Sequence, residues 1–397
     1  MKKCQVGPET IRMLTLGHPW VIADRYTKQW PAGKTGELIA LVDDKQSHLA
    51  TALYDPQNRI IARVLDQGKI QLTEGWLEKK LLQAKQLRQH AQLDATNAYR
   101  CLNGEGDGLP GVTVDCYADY LMVQLYTPAW DAYLEPLTTV LQKVFHPKGI
   151  YRKLRPQETR ALEAKKRTKE YSRLIAGNSA PVPLQVKENG LNYLVDLREG
   201  LNTGLFPDQR RNRQELMTRV AGKRVLNLFA FTGAFSVAAA AAGARKVTSV
   251  DVSAKYLEVA RENFAINRIN PKQHEFITGD VFTELARMQS QKRCFDVILF
   301  DPPSFSTTKK SRFSTHGGTS KLVAATLPLL ESGGLLISSS NHQKLSMDDY
   351  MKELRRGALQ SGAELKTIFT SGQPEDFPCS VCFPEGRYLK FVINVKQ

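Results

Sequence analysis

The apolar positions along the chain change their spacing twice, and each change marks a boundary. From residue 1 to about 72 they fall in short runs: Trp20-Val21-Ile22-Ala23, Gly36 to Val42, Leu49 to Tyr54 and Ile60 to Leu65. Gly33, Gly36, Asp43-Asp44 and Asp55-Pro56-Gln57-Asn58 break these runs, a pattern that predicts a small β-barrel. From Thr73 to about Gln92 the period becomes helical, with Trp76, Leu77, Lys80, Leu81, Ala84 and Leu87 recurring among Lys and Gln. That amphipathic helix opens a second unit, residues 73–180, which continues through a Gly-rich turn at 103–111 into strands at Val112 to Cys116 and Tyr120 to Leu125. A hairpin signal, Leu184 to Val186 and Tyr193 to Val195 around Glu188-Asn189-Gly190, opens a third unit, residues 181–397. From Gly222 onward strand and helix alternate. Strands are predicted at Arg224 to Phe229, Lys246 to Val250, Glu275 to Thr278, Asp296 to Phe300 and Leu335 to Ser339, with helices such as Phe235 to Ala242 and Ala254 to Asn267 between them. Alternation of this kind specifies a doubly wound, Rossmann-like parallel α/β sheet. Two last strands, Glu364 to Phe369 and Tyr388 to Val395, predict an antiparallel hairpin at the sheet edge.

Composition narrows the partners. The 55 Lys and Arg exceed the 40 Asp and Glu by 15 in a chain of 397 residues, an excess that points first to nucleic acid. Between Arg152 and Arg173 nine basic residues face three acidic ones, and Lys165, Lys166, Arg167 and Lys169 are candidate phosphate contacts; a solvated charged face is the bland alternative. No apolar run reaches the length of a membrane span and no signal peptide is apparent, so a cytoplasmic protein is expected. The six cysteines, at positions 4, 101, 116, 294, 379 and 382, form neither a disulfide framework nor a metal pattern and read as reduced thiols.

Open α/β sheets bind ligands beyond the carboxyl ends of their strands, so the residues there carry the chemistry. The first strand runs into Asn227-Leu228-Phe229-Ala230-Phe231-Thr232-Gly233-Ala234-Phe235, where a single glycine stands in place of the three of a dinucleotide cradle. The second ends at Asp251-Val252, a carboxylate suited to both ribose hydroxyls of an adenosine-containing cofactor. The third leads to Asp280-Val281, suited to an adenine amino group, although either acid could instead cap a helix. The fourth ends in Asp301-Pro302-Pro303-Ser304-Phe305, whose prolines keep the chain extended and rigid. Four such features on four successive strands make a joint signal for S-adenosylmethionine.

The segments at 104–111, 203–210, 225–233, 301–305 and 383–390, with Gly17-His18-Pro19-Trp20, resemble the bacterial RlmI-type enzymes that make 5-methylcytidine in 23S ribosomal RNA. The resemblance implies an N-terminal PUA domain over residues 1–72, an α+β central module over 73–180 and a methyltransferase domain over 181–397. It implies S-adenosylmethionine as cofactor, ribosomal RNA as partner with no membrane, and a homodimer as a compatible assembly. It also brings Phe206, Gln209 and Arg210 to the methionine end of the pocket. One position departs from the family. Cytosine C5 chemistry needs a thiolate that adds to carbon 6, and Asn341 stands after the fifth strand where that cysteine belongs. Three explanations stay open: Cys379 or Cys382 substitutes, Cys382 being the candidate nucleophile; the target is a nitrogen, such as on guanine, served by Asp301 and Asn341; or the protein binds RNA without modifying it.

Overall fold

The computed structural model describes residues 1–154, 170–303, 305–307 and 312–397. The basic run with Lys165, Lys166, Arg167 and Lys169, and Ser304 of the Asp-Pro-Pro segment, lie outside the described residues.

The first unit contains β1 (Lys2–Gln5), α1 (Pro8–Thr15), β2 (Trp20–Ile22), β3 (Leu38–Val42), β4 (His48–Tyr54) and β5 (Ile60–Asp66). They form one sheet in the order β1-β3-β4-β5-β2, with β1 parallel to β3 and the other pairs antiparallel. Val21, Ile39, Leu41, Ala52 and Ala62 point to its interior and are fully buried. The sequence pattern misses β1 and α1. In Lys2-Lys3-Cys4-Gln5 only Cys4 faces the core, and one apolar residue makes no period.

The second unit opens with α2 (Glu74–Leu87), capped by the Thr73 hydroxyl, which accepts from the Trp76 amide. Its sheet runs β10-β9-β8-β7-β6, built from β6 (Ala98–Asn103), β7 (Val112–Tyr117), β8 (Tyr120–Leu125), β9 (Gly149–Lys153) and β10 (Ser172–Gly177). The helix α3 (Leu134–Phe145) joins β8 to the parallel strand β9. Leu77 and Leu81 of α2 meet Leu137 and Leu141 of α3 in one dry cluster with Val114 and Val123.

The third unit begins with the hairpin β11 (Leu184–Glu188) and β12 (Leu191–Val195). Asn189 and Gly190 turn it with φ of 50° and 80°, as a two-residue turn of this hand requires. Then follow α4 (Arg210–Met217), β13 (Arg224–Leu228), α5 (Ala234–Ala241), β14 (Lys246–Asp251), α6 (Ala254–Ile266), β15 (Glu275–Thr278), α7 (Val281–Ser290) and β16 (Phe295–Phe300). A short pair, β17 (Phe305–Thr307) and β18 (Arg312–Ser314), leads to α8 (Thr315–Thr326), β19 (Leu330–Ser340), α9 (Met347–Gln360), β20 (Leu365–Ser371) and β21 (Lys390–Lys396). The seven-stranded sheet has the order β15-β14-β13-β16-β19-β21-β20. Both its faces are covered: Leu226, Leu228, Ile298 and Phe300 enter one core and Val225, Val297, Leu299 and Ile337 the other. Double burial produces the continuous apolar strands that the sequence announces. The final hairpin differs in one respect from the expectation. Only β20 is at the edge; β21 inserts between β19 and β20, antiparallel to both.

Polar groups tie the second and third units together. Asp376 accepts from Arg210 Nη2 at 2.7 Å and from the Arg100 amide at 2.9 Å, while its carbonyl accepts from Arg88 Nη2. The first unit meets the third where Phe383 packs between His18 and Trp20, with ring centroids 5.4 and 4.6 Å apart. Among the described residues no helix is long and apolar enough to cross a membrane.

Candidate active site

The order of the sheet reverses at β13, whose neighbours are β14 and β16, and a crevice opens beyond the carboxyl ends of these strands, where an open α/β sheet binds its ligand. The loop after β13 is under backbone strain: Phe229 and Phe231 have φ of 58° and 51°, values that bulky side chains rarely adopt. Asp251, at the end of β14, holds that loop. Its Oδ2 accepts from the Phe231 amide and its Oδ1 from the Ser253 amide, both at 2.9 Å. Ser253, not Asp251, caps α6, its hydroxyl accepting from the Tyr256 amide. Asp280 does cap α7, accepting from the Thr283 amide at 3.1 Å.

These loops enclose a cavity of about 420 Å³. Twelve of the residues expected from the sequence line it: Phe206, Gln209, Asn227, Phe229, Phe235, Asp251, Val252, Asp280, Val281, Asp301, Pro302 and Asn341. At one end Val252 and Phe282 stand with Asp251 and Asp280, an apolar slot with two carboxylates that suits an adenosyl group. Phe206, Phe231 and Tyr256 form an aromatic wall, with successive ring centroids 5.5 and 4.4 Å apart. Sequence reasoning missed Tyr256 because it lies in the first turn of α6, past the strand end, and missed Asp208 because its partner lies far along the chain.

At the other end Asp301 is the centre of a buried network. Gln209 Nε2 donates to Asp301 Oδ2 at 2.9 Å and to Ser339 Oγ at 2.8 Å, and Asn212 Nδ2 donates to Gln209 Oε1 at 2.6 Å. Burial, with the charge of Asp208 second, pushes the Asp301 carboxyl up to about 6, against the lowering effect of the Ser339 and Gln209 hydrogen bonds. Asn341 follows β19, where Lys390 pins the strand end: its Nζ donates to the His342 carbonyl at 2.6 Å and to that of Tyr388 at 2.7 Å. Burial brings Lys390 down to about 8.

Four expected residues are not at the cavity wall. Arg210 is fully buried and turned away, donating to Asp376 and to the Gln92 carbonyl. Thr232 donates its hydroxyl to the Gly204 carbonyl and braces the loop from behind. Gly233, at φ 76°, lets α5 approach α6; a Cβ there would come within 2.7 Å of Ala260 Cβ. Cys382 is exposed and lies against Gly17 of the first unit, where a Cβ built on that glycine would sit 3.1 Å from Sγ. Cys379 does not line the cavity either; its thiol donates to the Phe383 carbonyl and burial raises its pKa.

The sheet order and the carboxylates that the strand ends bring to the cavity wall together define a class I methyltransferase. Residues 104–380 match the S-adenosylmethionine-dependent methyltransferase family and residues 5–67 the PUA-like domain. The chain is 33 % identical over 375 residues to ribosomal RNA large subunit methyltransferase I of Yersinia pseudotuberculosis, covering 94 % of each. The crystal structure of SMU.776 complexed with SAH is similar over 100 % of both chains, with a TM-score of 0.89 and 30 % identity. A SAM-dependent methyltransferase from Agrobacterium tumefaciens, 18 % identical over 76 % of this chain and 90 % of its own, shares the fold with a TM-score of 0.56. The chain belongs to the S-adenosylmethionine-dependent methyltransferase family that includes ribosomal RNA large subunit methyltransferase I, and its cofactor is S-adenosylmethionine.

Cofactor affinity should depend on Asp251. Its truncation removes a carboxylate that orders the Phe231 loop and that we propose meets the ribose hydroxyls, and each such charged hydrogen bond contributes about 1.5 to 3 kcal/mol. Asp251→Ala is expected to weaken S-adenosylmethionine binding roughly tenfold to a hundredfold by calorimetry. Unchanged affinity would remove Asp251 from the binding set.

Proposed function

We propose that this protein transfers a methyl group to a ring or exocyclic nitrogen of a base in large-subunit ribosomal RNA, in the cytoplasm. The substrate class is supported by the relatives named for that activity, by the PUA-like domain and by the excess of 15 positive charges. The choice of nitrogen over carbon 5 of cytosine is carried by one observation. Among the described residues no cysteine lines the cavity, and Asn341 occupies the wall beside Asp301.

When bound, S-adenosylmethionine supplies a methyl group made electrophilic by its sulfonium. Carbon 5 of cytosine becomes nucleophilic only after a thiolate adds to carbon 6, and neither an amide nor an unactivated serine hydroxyl does this at neutral pH. A base nitrogen needs no such adduct. It needs orientation and an acceptor for any proton it carries. Asp301 offers that acceptor, its carboxylate held by the Gln209 amide. Pro302 and Pro303 fix the direction of the chain beside it, and Asn341, with a donor and an acceptor on one amide, suits the edge of a base flipped out of its stack.

The decisive experiment is mass spectrometry of ribosomal RNA nucleosides from cells with and without the gene, paired with an adduct assay. An N-methylated base, such as a methylguanosine, should disappear with the gene, and 5-fluorocytidine RNA should form no covalent complex with the protein. Loss of 5-methylcytidine together with a stable adduct would overturn the proposal and return the nucleophile to Cys379 or Cys382.

A further inference from the structure

Asp208 has no part in the chemistry above, yet it lines the same cavity as Asp301. It sits in the single turn Pro207–Gln209, beside the residue whose amide donates to Asp301. Its Oδ2 accepts from the Tyr388 hydroxyl at 2.8 Å, a bond between residues 180 positions apart. Tyr388 immediately precedes Leu389, itself a residue of the cavity wall.

We propose that Asp208 is a positioning residue for methyl transfer: fixed by Tyr388 in the cavity of Asp301, its carboxylate sets the pH range over which Asp301 accepts the proton of the target nitrogen. The proposal rests on the nitrogen reading of the site. The groups around the two carboxylates can be named. Asp208 meets the Tyr388 hydroxyl, with Arg100 and Arg213 on the favourable side and Asp115 opposed. Asp301 meets Gln209 and Ser339, with Arg213 favourable and Asp208 opposed, and Tyr350 stands near it.

Neither arginine is free to neutralise the pair. Arg100 Nε is bound to Asp115 at 2.6 Å, and Arg213 holds both oxygens of Glu188 at 2.6 Å. Among the described residues no lysine or arginine bonds to either carboxylate, and two like charges on one cavity wall each disfavour the ionisation of the other, so that one ionises at a higher pH than it would alone. Burial raises both groups, and the charge of Asp208 raises Asp301 further. A purely structural partner for Tyr388 would be served as well by an amide, without the cost of a second charge in a buried pocket. Asp301 takes one proton from the nitrogen in each turnover and passes it to water, so whatever sets its ionisation sets the acid limit of the reaction.

The test uses the full chain, ribosomal RNA from cells lacking the gene, and single-turnover methyl transfer measured across pH. Asp208→Asn keeps an acceptor for Tyr388 but removes the like charge, which lowers the pKa of Asp301. The acid limb of its rate profile should therefore move to lower pH by at least about half a unit, while the affinity for S-adenosylmethionine stays within about twofold of the parent and Asp208→Glu restores the parental limb. Tyr388→Phe loses only a hydroxyl that favours the ionised form of Asp208, and its limb should move in the same direction by less. If Asp208→Asn does not fold, or is inactive at every pH, the limb of Tyr388→Phe decides. Parental limbs in the readable variants overturn the proposal, and so does a loss of cofactor affinity that accounts for the whole rate change. The nucleoside product is assayed in the same reactions. A 5-methylcytidine product overturns the nitrogen reading, and this proposal with it, whereas an N-methylated product with an unmoved limb overturns the role of Asp208 alone.

Discussion

Asp301→Asn is expected to bind S-adenosylmethionine as the parent does and to transfer methyl groups roughly a hundredfold to ten-thousandfold more slowly, the range associated with loss of a positioned proton acceptor. The substitution is conservative in shape. An asparagine oxygen at the same place still accepts from Gln209 Nε2, so the network through Asn212 and Ser339 has no reason to collapse. What disappears is the ionised oxygen. In the parent the same group imposes a pH limit: with the carboxyl at about 6, the ionised form is lost as pH falls through that value, and the rate should fall with it. Stability has the opposite dependence. A carboxyl whose folded pKa is raised stabilises the fold fully below its unfolded value and loses that contribution as pH rises through about 6. At neutral pH the charge is therefore a burden, and Asp301→Asn should melt at a higher temperature than the parent. Calorimetry, single-turnover rates and thermal melts on one preparation check all three statements. A rate within about threefold of the parent would remove Asp301 from the chemistry, and a lowered melting temperature would show that the network depends on its charge.

The fold was legible where burial imposes a period. The strands of the third unit lie between two layers of helices, so Val297-Ile298-Leu299-Phe300 is apolar throughout and cannot be mistaken for a surface element. In the second unit β6 was not legible. Its apolar residues Ala98, Tyr99, Cys101 and Leu102 do not alternate, because Arg100, bound to Asp115 and Asn103, interrupts them and the register shifts between Arg100 and Leu102. The site followed the same division. Acidic residues that end strands could be placed by order along the chain alone. Arg210 could not, since it begins a helix and successive helical residues point about 100° apart. Gln209 faces the cavity and Arg210 faces the second unit. The bond from Tyr388 to Asp208 depends on the insertion of β21 into the sheet, a long-range fact with no trace in local spacing. Cys382 was drawn toward the site by resemblance, but the packing of Phe383 on Trp20 and His18 carries its segment to the first unit.

Arg210→Ala should destabilise the protein by about 3 to 5 kcal/mol, the cost of leaving one partner of a buried ion pair without the other. Both side chains are fully buried, and Arg210 Nη2 meets Asp376 Oδ1 at 2.7 Å. In its absence the Asp376 carboxylate keeps, among the described residues, only the Arg100 amide, and the Gln92 carbonyl loses a donor. An exposed pair such as Lys352 with Asp349 offers the contrast: solvent screens it, and breaking it should cost no more than about 1 kcal/mol. Thermal and urea unfolding measure both. The double variant Arg210→Met, Asp376→Leu removes the two charges together, and much of the lost stability should return, because the penalty lies in the orphaned charge rather than in the missing attraction. The same variants separate the two roles that sequence and structure give to Arg210. A residue at the methionine end of the cofactor would, on truncation, weaken S-adenosylmethionine binding and leave the melt unchanged. A residue that locks the second unit to the third, as its bonds to Gln92 and Asp376 indicate, would lower the melt and leave the affinity of the folded fraction unchanged.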